Sequence, residues 1–250
     1  MNWSPHLDAL LGSADSICVL TGAGISAESG VATFRGPDGL WAKLKPEELA
    51  NFDAFMRNPE LVWEWYSERK RIIHDVAPNA GHRALAEMES LVRDFTLVTQ
   101  NIDNLHRRAG SAKVRELHGN IERSFCVSCG RFDNSATVGE DRKPPRCRQC
   151  GGLMRPDVVW FGEMLPQEEM EAAEDACRRC ELFLSVGTSA VVYPAAGLPL
   201  LARASGAYIV EVNTERTDIS SRVNETLPGG AGTVLPALVE RMKELRKARS

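Results

Sequence analysis

Two cysteine pairs stand out by spacing: Cys126-x2-Cys129 and Cys147-x2-Cys150, with seventeen residues between them. Each pair supplies two thiolates from one knuckle, and two knuckles close a tetrahedron around zinc. Four sulfur ligands leave no open position for water, so such a zinc is structural. Cys177 and Cys180 have the same internal spacing but no partner pair. They end a helical stretch and are read as packing.

A second group of residues suits a nucleotide. "ICVLTGAGISAESG" is an apolar run followed by Gly22, Gly24 and Ala27, which fits G-x-G-x-x-G/A. Glycines there permit a tight turn and close approach of a pyrophosphate to backbone N–H groups; the alternative is a glycine turn with no ligand. The acid expected about 20 residues later at a strand end is missing, since Asp38 lies in the loop "RGPDGLW". The pattern therefore fits a dinucleotide but not a standard dehydrogenase. "TQNIDNLH" places Gln100, Asn101 and Asp103 at the end of another apolar run, and "ELHGN" places His118 just before the first knuckle. Gly187, Thr188 and Ser189 follow a third run, and Asn213, Thr214 and Glu215 a fourth.

A third feature is a misfit. In "LVWEWYSERKRIIHDV", residues 61–76, Leu61, Val62, Trp65, Tyr66, Ile72, Ile73 and Val76 make an apolar stripe at helical spacing. Arg69 falls inside that stripe, one turn after Tyr66. A guanidinium and a phenol on one inward face can take a carboxylate. The plainer reading buries the arginine stem and leaves its head in solvent.

The elements that must position these groups are legible from periodicity. Apolar, β-branched runs at 17–20, 95–99, 182–186 and 208–212 predict strands, and helical patterns at 79–92, 166–179 and 233–247 separate or follow them. Alternating strands and helices predict an α/β fold with a Rossmann-like, doubly wound parallel sheet. Polar residues at the strands' carboxyl ends then share one edge, where such sheets place ligands. Residues 35–78, with a helix capped by Asn58 and started by Pro59, and residues 121–155, with the cysteines, interrupt the alternation. Both read as insertions forming a smaller lobe on a large domain of about 1–34, 79–120 and 156–250. His82, at a helix start, reads as capping or packing, whereas His6, His74 and His106 have little local context.

Composition narrows the classes. The chain has 250 residues, 43% hydrophobic, with 30 basic and 34 acidic side chains for a net charge of −4. That balance gives no reason to expect nucleic acid. No apolar run approaches a membrane span, and no secretory or transit pattern opens the chain. Seven cysteines, an odd number, argue against a disulfide framework. The expected location is cytoplasmic. The oligomeric state is left open, with a monomer compatible.

Taken in order, "TGAGISAESG", "TFRG", "TQNIDNLH", "ELHGN", the four cysteines, "VVWFGE", "VGTS" and "VNTE" resemble the sirtuins, NAD-dependent protein-lysine deacylases, over nearly the whole chain. The resemblance implies that Gly22, Ala23, Gly24, Ser26 and Trp41 enfold NAD, with Phe34 and Arg35 in a flexible cofactor-binding loop. It places Gln100, Asn101, Ile102 and Asp103 at the nicotinamide and its ribose. Gly187, Thr188, Ser189, Asn213, Thr214, Glu215 and Ala231 go to the adenosine half. His118 would be the general base, with Asn101 also catalytic. Val158, Val159, Phe161, Gly162 and Glu163 would pair with the acyl-lysine protein substrate as an added strand. Where many members read "GIPDFR", this chain has "GVATFRG", with Thr33 in place of the acid. With Tyr66, Arg69 and the small Ala50, that departure resembles the class III branch, which prefers acidic acyl groups such as succinyl and malonyl.

The implied chemistry is attack of the acyl-lysine oxygen on the ribose carbon bearing nicotinamide. His118 then takes a ribose hydroxyl proton, and free lysine and an acylated ADP-ribose follow. A general deacetylase, a mono-ADP-ribosyltransferase, a dehydrogenase and a zinc-ribbon nucleic-acid module are the competing readings. The last leaves four polar strand ends unused.

Overall fold

The computed structural model describes residues 3–33, 49–133 and 143–248. Six parallel strands form one sheet in the order β3-β2-β1-β6-β7-β8, from β1 (Ser16–Thr21), β2 (Asp94–Thr99), β3 (Val114–Glu116), β6 (Leu182–Val186), β7 (Tyr208–Asn213) and β8 (Glu225–Pro228). The order reverses between β1 and β6, so the crevice at their carboxyl ends is the topological switch point. The doubly wound sheet is as expected. Its outer strands β3 and β8, three and four residues long, carry too short a pattern to read from sequence.

Alternation along each strand explains the layering. Ile17, Val19, Phe95, Leu97, Leu182 and Leu184 enter one core, against α1 (Pro5–Ser13), α5 (Ala80–Leu91) and α9 (Ala231–Lys247). Cys18, Leu20, Val98 and Phe183 enter the opposite core, against α7 (Gln167–Arg179) and α8 (Leu198–Ala204). Strands buried on both faces read as near-continuous apolar runs, which is why four of the six were visible. Cys177 and Cys180 lie in this second core, as packing residues.

Two antiparallel strands, β4 (Gly119–Cys126) and β5 (Met154–Val158), form a separate pair leading into the cysteine knuckles. Between the short helix α2 (Gly24–Ala27) and α5 come α3 (Phe52–Arg57) and α4 (Pro59–Asp75); α6 (Leu105–Arg108) follows β2. Asn58 caps α4 through its side chain, accepting from the Leu61 N–H at 3.2 Å, and Pro59 opens the helix.

The buried face of α4 is turned relative to the stripe expected. Val62, Trp63, Tyr66, Arg69 and Ile73 are buried, while Leu61 and Ile72 are 47% and 44% exposed. Counting only apolar residues placed the face about one residue off. Positions 62, 66, 69 and 73 keep strict i+4, i+3, i+4 spacing, and Arg69 belongs to that inner face. Among the described residues no helix is long and apolar enough to cross a membrane.

Candidate active site

Three of the central four strands, β1, β2 and β6, hand their first loop residue to a neighbour. The Gly22 N–H donates to the Val186 carbonyl at 3.0 Å, Gln100 to Thr21 at 3.0 Å and Gly187 to Val212 at 3.0 Å. The loops after β1, β2 and β6 are thereby fixed along one edge. Close backbone approach sets the glycines at this seam. A Cβ on Gly24 would lie 2.7 Å from the Gly187 carbonyl oxygen, and one on Gly22 would lie 2.9 Å from it. Gly187 itself has φ +58°, and its added Cβ would meet the Ile25 nitrogen at 2.5 Å. In this structure the glycine turn is thus required by protein against protein, beyond any need of a pyrophosphate.

Polar side chains knit the same edge together. Asn101 is 7% exposed and donates from Nδ2 to the Gly22 carbonyl at 3.0 Å and to Ser26 Oγ at 3.2 Å. Ser26 Oγ donates to Asp103 at 2.7 Å, and the Leu105 N–H donates to the other Asp103 oxygen at 2.9 Å. Burial raises the Asp103 carboxyl above its usual range, against the pull of those bonds and of Arg69 and Arg108. Gln100 Nε2 donates to Thr188 Oγ1 at 3.0 Å, and Asn213 Nδ2 donates to the Thr188 carbonyl at 3.0 Å. Ile102 is buried beside Tyr66, Ala50 and Val158. Ser189, Thr214 and Glu215 are exposed at the rim, whereas Ala231 is buried in the first turn of α9 against Gly81. Phe34, Arg35 and Trp41 lie outside the described residues.

His118 sits half-buried where β3 passes into β4. Its Nδ1 lies 2.8 Å from the Gln100 carbonyl, which can only accept, so Nδ1 carries the proton and Nε2 keeps its lone pair. Burial lowers its pKa and the Gln100 bond partly restores it. The neutral, basic form therefore dominates near pH 7. The His118 carbonyl in turn accepts from the Val159 N–H at 3.0 Å, and the Ala50 carbonyl accepts from Phe161 at 2.9 Å. These bonds hold 158–163 beside the histidine. Phe161 is 49% exposed, and Gly162 has φ +88°, turning the chain so that the Glu163 N–H reaches the Trp160 carbonyl at 3.0 Å.

Tyr66 and Arg69 both face inward. Tyr66 is 2% exposed, and its hydroxyl oxygen accepts from the Trp160 indole N–H at 2.9 Å. Arg69 is 7% exposed and lines a small cavity with Ala23, Ser26, Asn101 and Asp103. One terminal nitrogen donates to the Ala32 carbonyl at 3.3 Å. Burial lowers its pKa to about 10, opposed by Tyr66 and Asp103, which leaves it charged at neutral pH.

The four cysteine sulfurs lie within 4.8 Å of one another, with Cys126 and Cys150 at 3.5 Å and Cys129 and Cys147 at 3.8 Å. Zinc–sulfur bonds of about 2.3 Å give tetrahedral edges of about 3.8 Å, so the set fits zinc. Gly130 and Gly151 follow the pairs with φ +69° and +73° and donate back to the Cys126 and Cys147 carbonyls at 2.9 Å each, closing the knuckles.

Sequence reasoning missed part of the support. His106 is buried behind the seam, 2.9 Å from Thr21 Oγ1, which donates to Thr99 Oγ1 at 2.8 Å. His82 completes a capping box with Asn79, as read, and its ring lies tilted against that of His106 with centroids 4.8 Å apart. Its burial lowers its pKa to about 4. A single histidine gives no local sign of such a neighbour. Trp160 and Arg155, both buried beside Tyr66 and the 158–163 segment, were also not singled out.

Residues 22–194 match the Sir2 family. The chain belongs to that family. A similar relative, the NAD-dependent protein deacylase of Aquifex aeolicus, is 51% identical over 229 residues, covering 92% of this chain and 96% of its own. A solved Sir2 homologue in complex with NAD superposes with a TM-score of 0.90 at 42% identity, over 100% of this chain and 96% of that one. Sir2Af2 bound to a myristoylated histone peptide gives a TM-score of 0.80 at 37% identity, with 97% of each chain covered. Sir2 membership accounts for the α/β sheet and for a cysteine lobe beside it.

Proposed function

We propose that this chain is an NAD-dependent protein-lysine deacylase that favours acidic acyl groups such as succinyl and malonyl. The deacylase reading is supported by the Sir2 relatives and by a base-competent His118 beside fixed Gln100, Asn101 and Asp103. The acyl preference rests on one observation: Arg69 and Tyr66 are buried on the inner face of α4, where an ordinary helix would place only apolar groups.

NAD, when bound, supplies an electrophilic ribose carbon, nicotinamide as leaving group and a hydroxyl that receives the acyl chain. Around it, Asn101 and Asp103 are held by Gly22, Ser26 and Leu105 and cannot turn away from the edge. His118 Nε2 receives the hydroxyl proton. The 158–163 segment takes the substrate backbone as an added strand, and Ala50 leaves room for the acyl chain. None of the chain's seven cysteines forms a disulfide, and four are placed to hold zinc, in keeping with a cytoplasmic enzyme.

The test is kcat/KM on one peptide bearing acetyl-, succinyl- or myristoyl-lysine, with NAD, for wild type and Arg69→Met. Nicotinamide, free lysine and acylated ADP-ribose should appear in equal amounts, with no reduced-nicotinamide absorbance and no label on protein. Charge-assisted hydrogen bonds contribute roughly 1.5–3 kcal/mol, so succinyl activity should fall about ten- to a hundredfold in the mutant. A second reading is a general deacetylase in which Arg69 only braces Ala32, which the 3.3 Å bond favours. Equal acyl activities indifferent to the mutation would establish it.

A further inference from the structure

Trp160 lies in the 158–163 segment and reaches Tyr66 on α4. Its indole lies flat beneath Arg155, whose guanidinium carbon is 3.4 Å from the ring centroid. Arg155 is 3% exposed and donates to the Glu163 carboxylate at 2.9 Å and to the Val158 carbonyl at 2.8 Å. The Trp160 backbone N–H donates to the same carboxylate at 2.8 Å. Phe55 packs 5.4 Å from the indole and Tyr66 at 6.3 Å. The ring therefore has one setting, and in it the indole N–H meets Tyr66 Oη at 2.9 Å.

The direction of that bond matters. A phenol oxygen can accept and donate, whereas an indole N–H only donates. With the indole occupying a lone pair, the Tyr66 proton must point away from Trp160. Burial raises the phenol's pKa against the opposing pull of the Trp160 bond, so that proton stays on. A carboxylate only accepts. A tyrosine free to rotate could serve a carboxylate or a donor alike; one pinned in this way offers a donor only.

We propose that Trp160 is a specificity-positioning residue for the acidic acyl group: its indole N–H commits the Tyr66 hydroxyl to donate toward the acyl carboxylate, and the Arg155–Glu163 pair holds the ring in place. This rests on the acidic-acyl reading above. It makes Arg155, Trp160 and Glu163 a unit that sets acyl choice through Tyr66, apart from any contact with the peptide.

The experiment reads the ratio of succinyl to acetyl kcat/KM. Trp160→Phe keeps a ring and removes the donor; replacing Trp160 with 3-benzothienylalanine keeps the indole shape without the N–H, should phenylalanine not fold. Either should lower the ratio about fivefold, the scale of one net hydrogen bond. In a Tyr66→Phe background the same change should leave the ratio where Tyr66→Phe put it. A wild type with no succinyl preference would remove the acidic-acyl reading and this proposal with it. A wild type that prefers succinyl, with a ratio unmoved by the loss of the N–H, would overturn this proposal alone. Parallel losses on both substrates also leave the ratio unmoved and count against it.

Discussion

His118 and Gln100 are joined by a 2.8 Å bond from imidazole Nδ1 to backbone carbonyl. A main-chain acceptor cannot rotate away, so the tautomer is set by the fold and not by a mobile side chain. Burial of His118 lowers its pKa from the usual value near 6.5. The base must be neutral, so activity is lost as pH falls through the lowered pKa and is flat above it. The acid limb of kcat should therefore lie below about pH 6.5. His118→Ala should lose about a hundredfold or more in kcat, the range of general-base removal, while NAD binding by calorimetry persists. Turnover near wild type would take His118 out of the mechanism.

Gly24→Ala should weaken both the fold and the cofactor site. Its Cβ would lie 2.7 Å from the Gly187 carbonyl and 2.8 Å from Gly187 Cα, both backbone. Neither can yield without moving the seam, so a loss of about 1–3 kcal/mol is expected. A thermal melt should show a lower Tm and little further rise on adding NAD. A wild-type rise on adding NAD would mean that the seam tolerates the shift.

Arg69→Lys separates charge from shape. Lysine keeps the positive charge but cannot offer a planar fork. It should retain part of the succinyl preference, falling between wild type and Arg69→Met. With its pKa still about 10, Arg69 stays charged well above neutrality. The wild-type succinyl-to-acetyl ratio should therefore hold steady between about pH 7 and 9. A ratio that collapses by pH 8 would place another titrating group in the pocket.

Zinc should be found at one ion per chain by elemental analysis, and Cys147→Ser should lower both zinc content and Tm. Binding and folding are linked in such knuckles, so chelation should destabilise the lobe in the same way. Cys177→Ser is the contrast. It buries a hydroxyl in the apolar core beside Cys18 and Phe183, so stability should fall while zinc stays at wild-type occupancy.

The strand ends were readable because sheet geometry turns sequence order into position. Four apolar runs buried on both faces deliver Gly22, Gln100, Gly187 and Asn213 to one edge, whatever the loops do later. Cysteine spacing was equally direct. The α4 helix was harder: Leu61 and Ile72 are as apolar as Val62 and Ile73 yet lie outside, and only the packing surface separates them. Trp160 and Arg155 carry no local sign of their pairing, since a cation stacked on an indole is made by tertiary approach. The paired His82 and His106 were hidden for the same reason.

The staggered bonds from Gly22 to Val186, Gln100 to Thr21 and Gly187 to Val212 have an evolutionary consequence. The first amide of each of these three loops is spoken for by the strand next door, so none of the three can be exchanged with a relative's as a separate cassette. A transplanted β6–α8 loop would need the β1 turn that faces it, and that turn would need the loop after β2. Variation at this edge should then travel in sets.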